Sequence, residues 1–354
     1  MAGMALNIGS INWDTIERLR RGFIQGQPAG DYWRKREDLE LYDRTFGRRI
    51  SWKWDYVLDE LAQLNWRPPQ GAVLDWACGS GVAGRTFLQH FGTEGVSQLV
   101  FYDKSTLAMQ VASKLAGEEF SEQPKPTNPP TAPADQTAPA KPANPVKLKI
   151  STAISSAPAA PAVLLVSHAI TELPPDQLQT VIALAQQAQA VIWVEPGTHQ
   201  ASRALAAVRG QLLSQFRCVA PCTHDGPCRM LDECNGRHWC HHFAAPPKDI
   251  FGNSEWVKFG RDAGIDLRSL PLSYIVMDKR PAAAPSAGLS RIIGRPRVYN
   301  AYALLFSCQA DCLQDRRLMK RHLADQFKAL QKGRQTSLHR WRCEDLDIVE
   351  ELPI

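Results

Sequence analysis

The sequence predicts an α/β protein built on a doubly wound, mostly parallel sheet, with a helical N-terminal extension and a cysteine-rich, metal-binding insertion. Three observations predict it. From residue 70 onward short apolar runs alternate with helical segments; a turn of small residues joins the first run to a helix; and two further β-rich runs close the series without a long helix between them. The chain of 354 residues is 44% hydrophobic and 22% charged, the balance of a globular protein long enough for one large α/β domain with additions.

The elements follow in chain order. Trp13, Ile16, Leu19 and Phe23 recur at helical spacing, and Trp52, Trp54, Val57, Leu58, Leu61 and Leu64 form a second amphipathic stripe ended by Pro68 and Pro69, so residues 1–70 are expected to be helical. Strands are expected at 72–76, 98–102, 146–150, 162–167 and 190–194, and helices at 84–90, 105–119, 177–188 and 200–216. The runs 272–278 and 297–307 supply the closing strand pair of a sheet whose last strand is antiparallel. Residues 71–217 and 248–315 thus make up the sheet domain.

Two stretches interrupt this rhythm. Residues 121–161 hold ten prolines among Ala, Thr, Ser, Lys and Gln, a composition too poor in apolar surface to offset chain entropy, and are expected to be a disordered insertion. Residues 218–247 are rich in Cys and His, poor in aliphatic side chains, and need a staple.

No uninterrupted apolar run reaches the roughly 18 residues a membrane helix requires. No signal-peptide or transit-peptide pattern opens the sequence, and a cytoplasmic protein is expected. The net charge of +5 is unevenly placed: nine basic residues face one acid, Asp325, between Arg316 and Arg342, and the tail beyond carries Glu344, Asp345, Asp347, Glu350 and Glu351. Such a basic segment, 316–354 with its acidic tail, either tracks phosphates or is a solvated face.

After the first strand the chain reads Asp75-Trp76-Ala77-Cys78-Gly79-Ser80-Gly81, a turn that lets a ligand approach the backbone next to a helix N-terminus. The spacing Asp-x-Ala-x-Gly-x-Gly resembles motif I of class I S-adenosylmethionine-dependent methyltransferases, with Ala77 in place of the commoner glycine. The second strand ends at Asp103. The resemblance implies a Rossmann-like fold, S-adenosylmethionine as cofactor, Asp75, Ala77, Gly79 and Gly81 as its turn, and Asp103 on the ribose hydroxyls. Asn or Asp, Pro, Pro and an aromatic, common after the fourth strand of amine methyltransferases, are absent. There stands Val166-Ser167-His168-Ala169, and the fifth strand ends Val194-Glu195-Pro196-Gly197. His168 and Glu195 are either participants in methyl transfer or packing groups at the cleft edge.

Five of the nine cysteines, Cys218, Cys222, Cys228, Cys234 and Cys240, fall within 23 residues. In a chain this long, with an odd count, this concentration favours metal over disulfides. Thiolates suit zinc or an iron-sulfur cluster, and paired Cys-x-x-Cys knuckles are missing. The string Ala220-Pro221-Cys222-x-His224-Asp225-Gly226-Pro227-Cys228, with Trp239-Cys240-His241, Val194-Glu195-Pro196-Gly197-Thr198, Tyr42-Asp43-Arg44-Thr45-Phe46 and Trp52-Lys53-Trp54-Asp55, resembles the methyltransferase-like family associated with the small ribosomal subunit. That resemblance implies a [4Fe-4S] cluster on Cys222, Cys228, Cys240 and Cys308, with Cys312 competing for the fourth place and a Cys/His zinc site as the alternative. It also implies the small ribosomal subunit or its rRNA precursor as partner. The basic groups Arg291, Arg295 and Arg297 and the 316–342 segment are expected to contact its phosphates, and the protein is expected to be a monomer off the ribosome.

Overall fold

The computed structural model describes residues 11–25, 33–120, 148–153, 160–281, 288–333 and 336–354. The expected helical extension consists of α1 (Trp13–Gln25), α2 (Arg36–Tyr42) and α3 (Arg48–Gln63), the last two joined by a π-helical turn at Asp43–Gly47. Trp54, Val57, Leu58 and Leu61 of α3 are fully buried, as their spacing requires, whereas Leu64 caps the helix end in solvent.

The alternating units form β1 (Gly71–Trp76), α4 (Val82–Phe91), β2 (Val96–Tyr102), α5 (Thr106–Phe120), β3 (Lys149–Thr152), β4 (Val163–Ser167), α6 (Pro175–Gln187), β5 (Ala190–Pro196) and α7 (His199–Leu212). Then come β6 (Arg217–Ala220), β7 (His242–Ala244), α8 (Ser254–Asp262) and β8 (Leu270–Asp278). The sheet runs β3-β2-β1-β4-β5-β8-β6, parallel except for β8, which is antiparallel to both neighbours, and β7 pairs with the far end of β8. Alternate residues of each strand feed two cores. Val73, Leu165, Ile192 and Val276 face the N-terminal helices, and Leu74, Leu164, Trp193 and Ile275 face the other side. This is a Rossmann-like, doubly wound sheet.

The structure differs from the sequence reading in where the sheet ends. Its last position is taken by β6, at the threshold of the cysteine-rich stretch, and the 297–307 run lies in a separate sheet. That second sheet contains β9 (Leu289–Ile292), β10 (Arg297–Val298), β11 (Tyr302–Cys308), β12 (Leu313–Met319), β13 (Leu338–Glu344) and β14 (Asp347–Glu351), with α9 (Ala324–Gln331) between β12 and β13. Burial explains the separation. β4 and β5 are buried almost continuously, as central parallel strands must be, whereas β11 alternates, with Ala303, Leu305 and Ser307 inside and Tyr302, Leu304 and Phe306 half-exposed. A strand with one dry face needs its own core, here Ile292, Ala303, Leu305, Leu318, Phe327, Leu330, Trp341 and Ile348.

β9 pairs with both β11 and β13, which closes the order β9-β11-β12-β14-β13 into a five-stranded barrel. β12 and β14 are its parallel pair. A closed five-stranded barrel with this connectivity, and a helix between its third and fourth strands, is an OB-fold arrangement. Of the proline-rich stretch 121–161, residues 121–147 and 154–159 lie outside the described residues. β3 covers the end of the strand expected at 146–150.

Candidate functional site

Ligands of open α/β sheets bind beyond the carboxyl ends of the strands, where strand order reverses. Here the reversal falls between β1 and β4, and a cleft of about 290 Å³ opens there. Its floor includes Trp76, Ala77, Gly79, Tyr102 and Asp103, and its far wall includes Ser167, His168 and Pro196. Asp103 Oδ2 accepts the Gly79 N–H at 3.0 Å and Oδ1 accepts the Ser105 N–H at 2.9 Å, so the second strand end holds the turn after the first. Burial raises the Asp103 pKa despite these bonds.

Of the five residues expected in the cofactor turn, Ala77, Gly79 and Asp103 line the cleft, whereas Asp75 and Gly81 support it from beneath. Asp75 is fully buried, its Oδ2 accepts the Gly84 N–H at 2.8 Å, and burial pushes its pKa up to about 8. Gly81 has φ +78° and a Cβ there would meet Ala112 Cβ and the Phe101 ring at 2.9 Å, so only glycine fits. At Gly79, φ +51°, a Cβ would meet only the edge of the Trp33 ring, at 4.0 Å.

The roof of the cleft comes from the π-helical turn, which sequence reasoning missed. Wide turns of this kind insert one residue into a helix and recur at functional sites. The insertion presents Tyr42, Phe46, Arg49 and Lys53 to the cleft. Asp43 secures it to the cofactor turn by accepting from Ser80 Oγ at 2.8 Å and from the Arg85 guanidinium. The signal was present as Tyr42-Asp43-Arg44-Thr45-Phe46, but a π-turn has no periodicity of its own to read.

At the far wall His168 adopts φ +54°, a left-handed conformation uncommon for a side chain of its size. Its Nε2 lies 3.1 Å from Lys53 Nζ and its Nδ1 3.2 Å from Ser167 Oγ, which accepts the Trp54 indole N–H at 3.0 Å. Burial, reinforced by Arg49, lowers the Lys53 pKa to about 7, and burial holds His168 well below the usual imidazole range. Glu195 lies outside the cleft. Its Oε1 accepts the Ala169 and Ile170 N–H groups at 3.0 Å and the Trp193 indole at 2.6 Å, fixing the loop that carries His168, and burial raises its pKa to about 7.

The cysteine-rich stretch hangs on one face of α7. Arg209, His199, Ser202 and Arg203 are spaced to share that face. Arg209 donates to the His224 and Gly226 carbonyls at 2.6 and 2.9 Å, and Arg203 to the Met230 carbonyl at 2.6 Å. His199 bonds the Gly236 carbonyl at 2.8 Å and Ser202 Oγ the Cys240 carbonyl at 2.5 Å. Polar anchors thus replace the apolar core this stretch lacks.

Cys222, Cys228, Cys240 and Cys308 lie within one another's electrostatic field. Burial raises Cys240 well above the ordinary thiol range, and Cys222, Cys308 and Cys228 add to it; burial pushes Cys308 up to about 12, with Cys222 and Cys228 adding. Cys312 Sγ lies 3.0 Å from Gln309 Oε1 and adds to the rise of the Cys308 pKa, while Cys218 is buried against Cys222 and Cys234 is exposed. Among the described residues no group of three or more His, Cys, Asp or Glu side chains is arranged to hold a single metal ion.

The sequence matches the family described as mitochondrial small ribosomal subunit Rsm22 over residues 56–336, well over half of its length. The chain belongs to that family. No curated protein matches it. Among solved structures, the magnesium protoporphyrin IX methyltransferase of Synechocystis PCC 6803 with bound S-adenosylmethionine is 11% identical, covering 77% of this chain and 92% of that one at a TM-score of 0.38. A candidate RNA methyltransferase from Pyrococcus horikoshii is 10% identical over 65% and 85% at 0.37.

Three expected phosphate contacts of this Rsm22-family chain have other partners. Arg291 is buried, donates to the Pro221 carbonyl at 2.7 Å and pairs with Glu60 at 2.6 Å. Arg295 lies 4.2 Å over the Phe243 ring, and Arg297 pairs with Asp315. The basic 316–342 segment, which runs through β12 and α9 into β13, and the acidic tail, which includes β14, belong to one barrel. Arg317 pairs with Asp347, and Arg342 with Glu344 and Glu350. No helix of the described residues is long and apolar enough to cross a membrane.

Proposed function

We propose that this chain is an assembly factor of the small ribosomal subunit that binds S-adenosylmethionine in the cleft and acts on, or helps mature, the rRNA particle in the compartment where that subunit assembles, the cytoplasm for a bacterial chain. The observation that carries the cofactor reading is the bond from the Gly79 N–H to Asp103, which holds an open glycine and a strand-end carboxylate on one cleft floor at the switch point. Membership of the family carries the small subunit. Trp76 and Tyr102, stacked with ring centroids 6.1 Å apart, offer flat apolar walls for an adenosine.

A [4Fe-4S] cluster on Cys222, Cys228, Cys240 and Cys308 fits the donor set. Three thiols of one stretch and a fourth from the end of β11 lie near enough to raise one another's pKa values, and four thiolates are the donor set such a cluster takes. Bound there, the group would supply cross-linking rather than chemistry. Cys222, Cys228 and Cys240 belong to the stretch on α7, Cys308 ends β11, and the four together would clamp the barrel to the Rossmann-like sheet. Arg209, buried beside Cys222, Cys218 and Cys228, balances thiolate charge.

Catalysis requires only that an acceptor lone pair be aligned with the sulfonium methyl, and His168 and Lys53, 3.1 Å apart, are among the polar groups that line the cleft. A docking scaffold without turnover is the second reading, favoured by Ala77, whose φ of +55° puts a strained side chain where glycine is usual. Calorimetry with S-adenosylmethionine decides first. Absence of binding ends the cofactor reading, and binding followed by radiolabel transfer to small-subunit rRNA ends the scaffold one. Iron and sulfide analysis of anaerobically purified protein tests the cluster, which zinc without iron would overturn.

A further inference from the structure

The barrel carries an aromatic pair that the cleft and the thiols leave unused. Tyr299, in the loop between β9 and β11, and Tyr302, which starts β11, stack with ring centroids 4.8 Å apart and planes 25° from parallel. A backbone bond of 2.8 Å from the Tyr299 N–H to the Tyr302 carbonyl closes the hairpin that presents them. Tyr299 is 46% exposed, and the run Arg297 to Ala301 lies in solvent throughout. Two large rings stacked outside any core bury little apolar surface, so the core does not explain their placement.

Cations stand beside them. Arg317, exposed and paired with Asp347, faces Leu304 across the strand pair on the outward side that Tyr302 shares. Lys320 N–H donates to the Ala301 carbonyl at 3.0 Å, placing the exposed Lys320 beside the hairpin. The other end of the same face is covered, because Phe306 packs on His238 of the cysteine-rich stretch at 4.7 Å. The open end thus joins the loop between the first two barrel strands to the surface of the second and third. In OB-folds that region takes oligonucleotides, and stacking rings beside cations are what a single strand requires.

We propose that the barrel binds single-stranded RNA, with unpaired bases stacking on Tyr299 and Tyr302 and phosphates meeting Lys320 and, in exchange for Asp347, Arg317. The small-subunit reading enters only in the choice of RNA over DNA. Flat rings accept any base, so recognition is by strandedness rather than sequence. A duplex hides its base faces and would gain only from the cations.

The test is fluorescence anisotropy of the full-length protein with a labelled oligouridine of 12 nucleotides, in about 50 mM salt, where phosphate contacts are strong. Tyr299→Ala/Tyr302→Ala is expected to weaken binding about tenfold or more, and Tyr299→Phe/Tyr302→Phe to stay within about twofold of the parent, because the ring and not the hydroxyl makes the stack. Thermal melting and circular dichroism confirm that both variants fold. Equal losses in the Ala and Phe variants, or an Ala variant that binds like the parent, overturn the proposal. Co-sedimentation with small subunits separates it from the wider reading. Parent protein that sediments with the particle but ignores the oligonucleotide sinks the platform alone, and failure of both sinks both. An Ala variant that loses the particle yet keeps the oligonucleotide reassigns the rings to a protein contact and overturns the RNA site.

Discussion

The Gly79 N–H and Asp103 Oδ2 meet at 3.0 Å, and this bond couples the turn after β1 to the end of β2. One carboxylate both shapes the turn and presents itself to the cleft. Asp103→Ala is expected to weaken S-adenosylmethionine binding by about tenfold or more, since it removes a charged acceptor and frees the Gly79 amide. Calorimetry on the variant, with a melting curve beside it, checks this; unchanged affinity would remove Asp103 from the site.

Gly79 and Gly81, two residues apart, are expected to answer differently to alanine. Gly81→Ala drives a Cβ into Ala112 and Phe101 at a positive φ and is expected to cost roughly 2–4 kcal/mol of folding stability. Gly79→Ala makes no clash, its Cβ reaching only Trp33 at 4.0 Å; it costs the fold roughly 1 kcal/mol through its positive φ and spoils the ligand's approach to the backbone. Denaturant unfolding and ligand titration of the pair should therefore give opposite rankings. A Gly81→Ala protein as stable as its parent would contradict the packing described here.

The same contrast between chemistry and packing marks what the sequence made legible. Strands β1, β2, β4, β5 and β8 fall within two residues of the expected spans because each is a short apolar run between turns, the pattern a doubly covered sheet imposes. The barrel was not legible. Tyr302 to Cys308 contains the apolar run Ala303-Leu304-Leu305-Phe306, and only tertiary placement separates inward Leu305 from outward Leu304. Arg291, Arg295 and Arg297 looked like phosphate ligands because composition reports charge and not its partner. The Glu60 that pairs with Arg291 lies 231 residues away in sequence. Ala77, Gly79 and Asp103 were readable as cleft residues, whereas Lys53 and the π-turn that aims it were not.

Arg209 is the anchor of the cysteine-rich stretch. It is 1% exposed and bonds two carbonyls that have no strand or helix to serve them. Arg209→Met keeps the stem and deletes the donors, leaving the half-buried His224 and Gly226 carbonyls without their partner. A loss of roughly 2–4 kcal/mol is expected, together with faster proteolysis between residues 222 and 240. Under the proposed cluster, anaerobic preparations of the variant are expected to retain less iron than the parent. Parent-like stability and protease resistance would show that the stretch is held by other contacts.

Glu195 gives the fold a pH dependence whose sign follows from its burial. Its folded pKa of about 7 lies above the ordinary carboxyl value of 4.5, so between those pH values the native state holds a proton that the unfolded chain has released. Stability contributed by this group therefore falls as pH rises from about 4.5 to about 7, by roughly 3 kcal/mol at most. Asp75, raised to about 8, acts in the same direction. Glu195→Gln can still accept the Ala169, Ile170 and Trp193 N–H groups through its amide oxygen but carries no charge to desolvate. Relative to the parent it is expected to lose stability below about pH 5, where both are neutral and the parent acid fits its own site, and to gain on the parent as pH rises towards 8. Urea unfolding of both proteins at pH 5, 6, 7 and 8 measures the difference, and a difference that does not change with pH would mean that Glu195 is ionised in the native protein throughout that range.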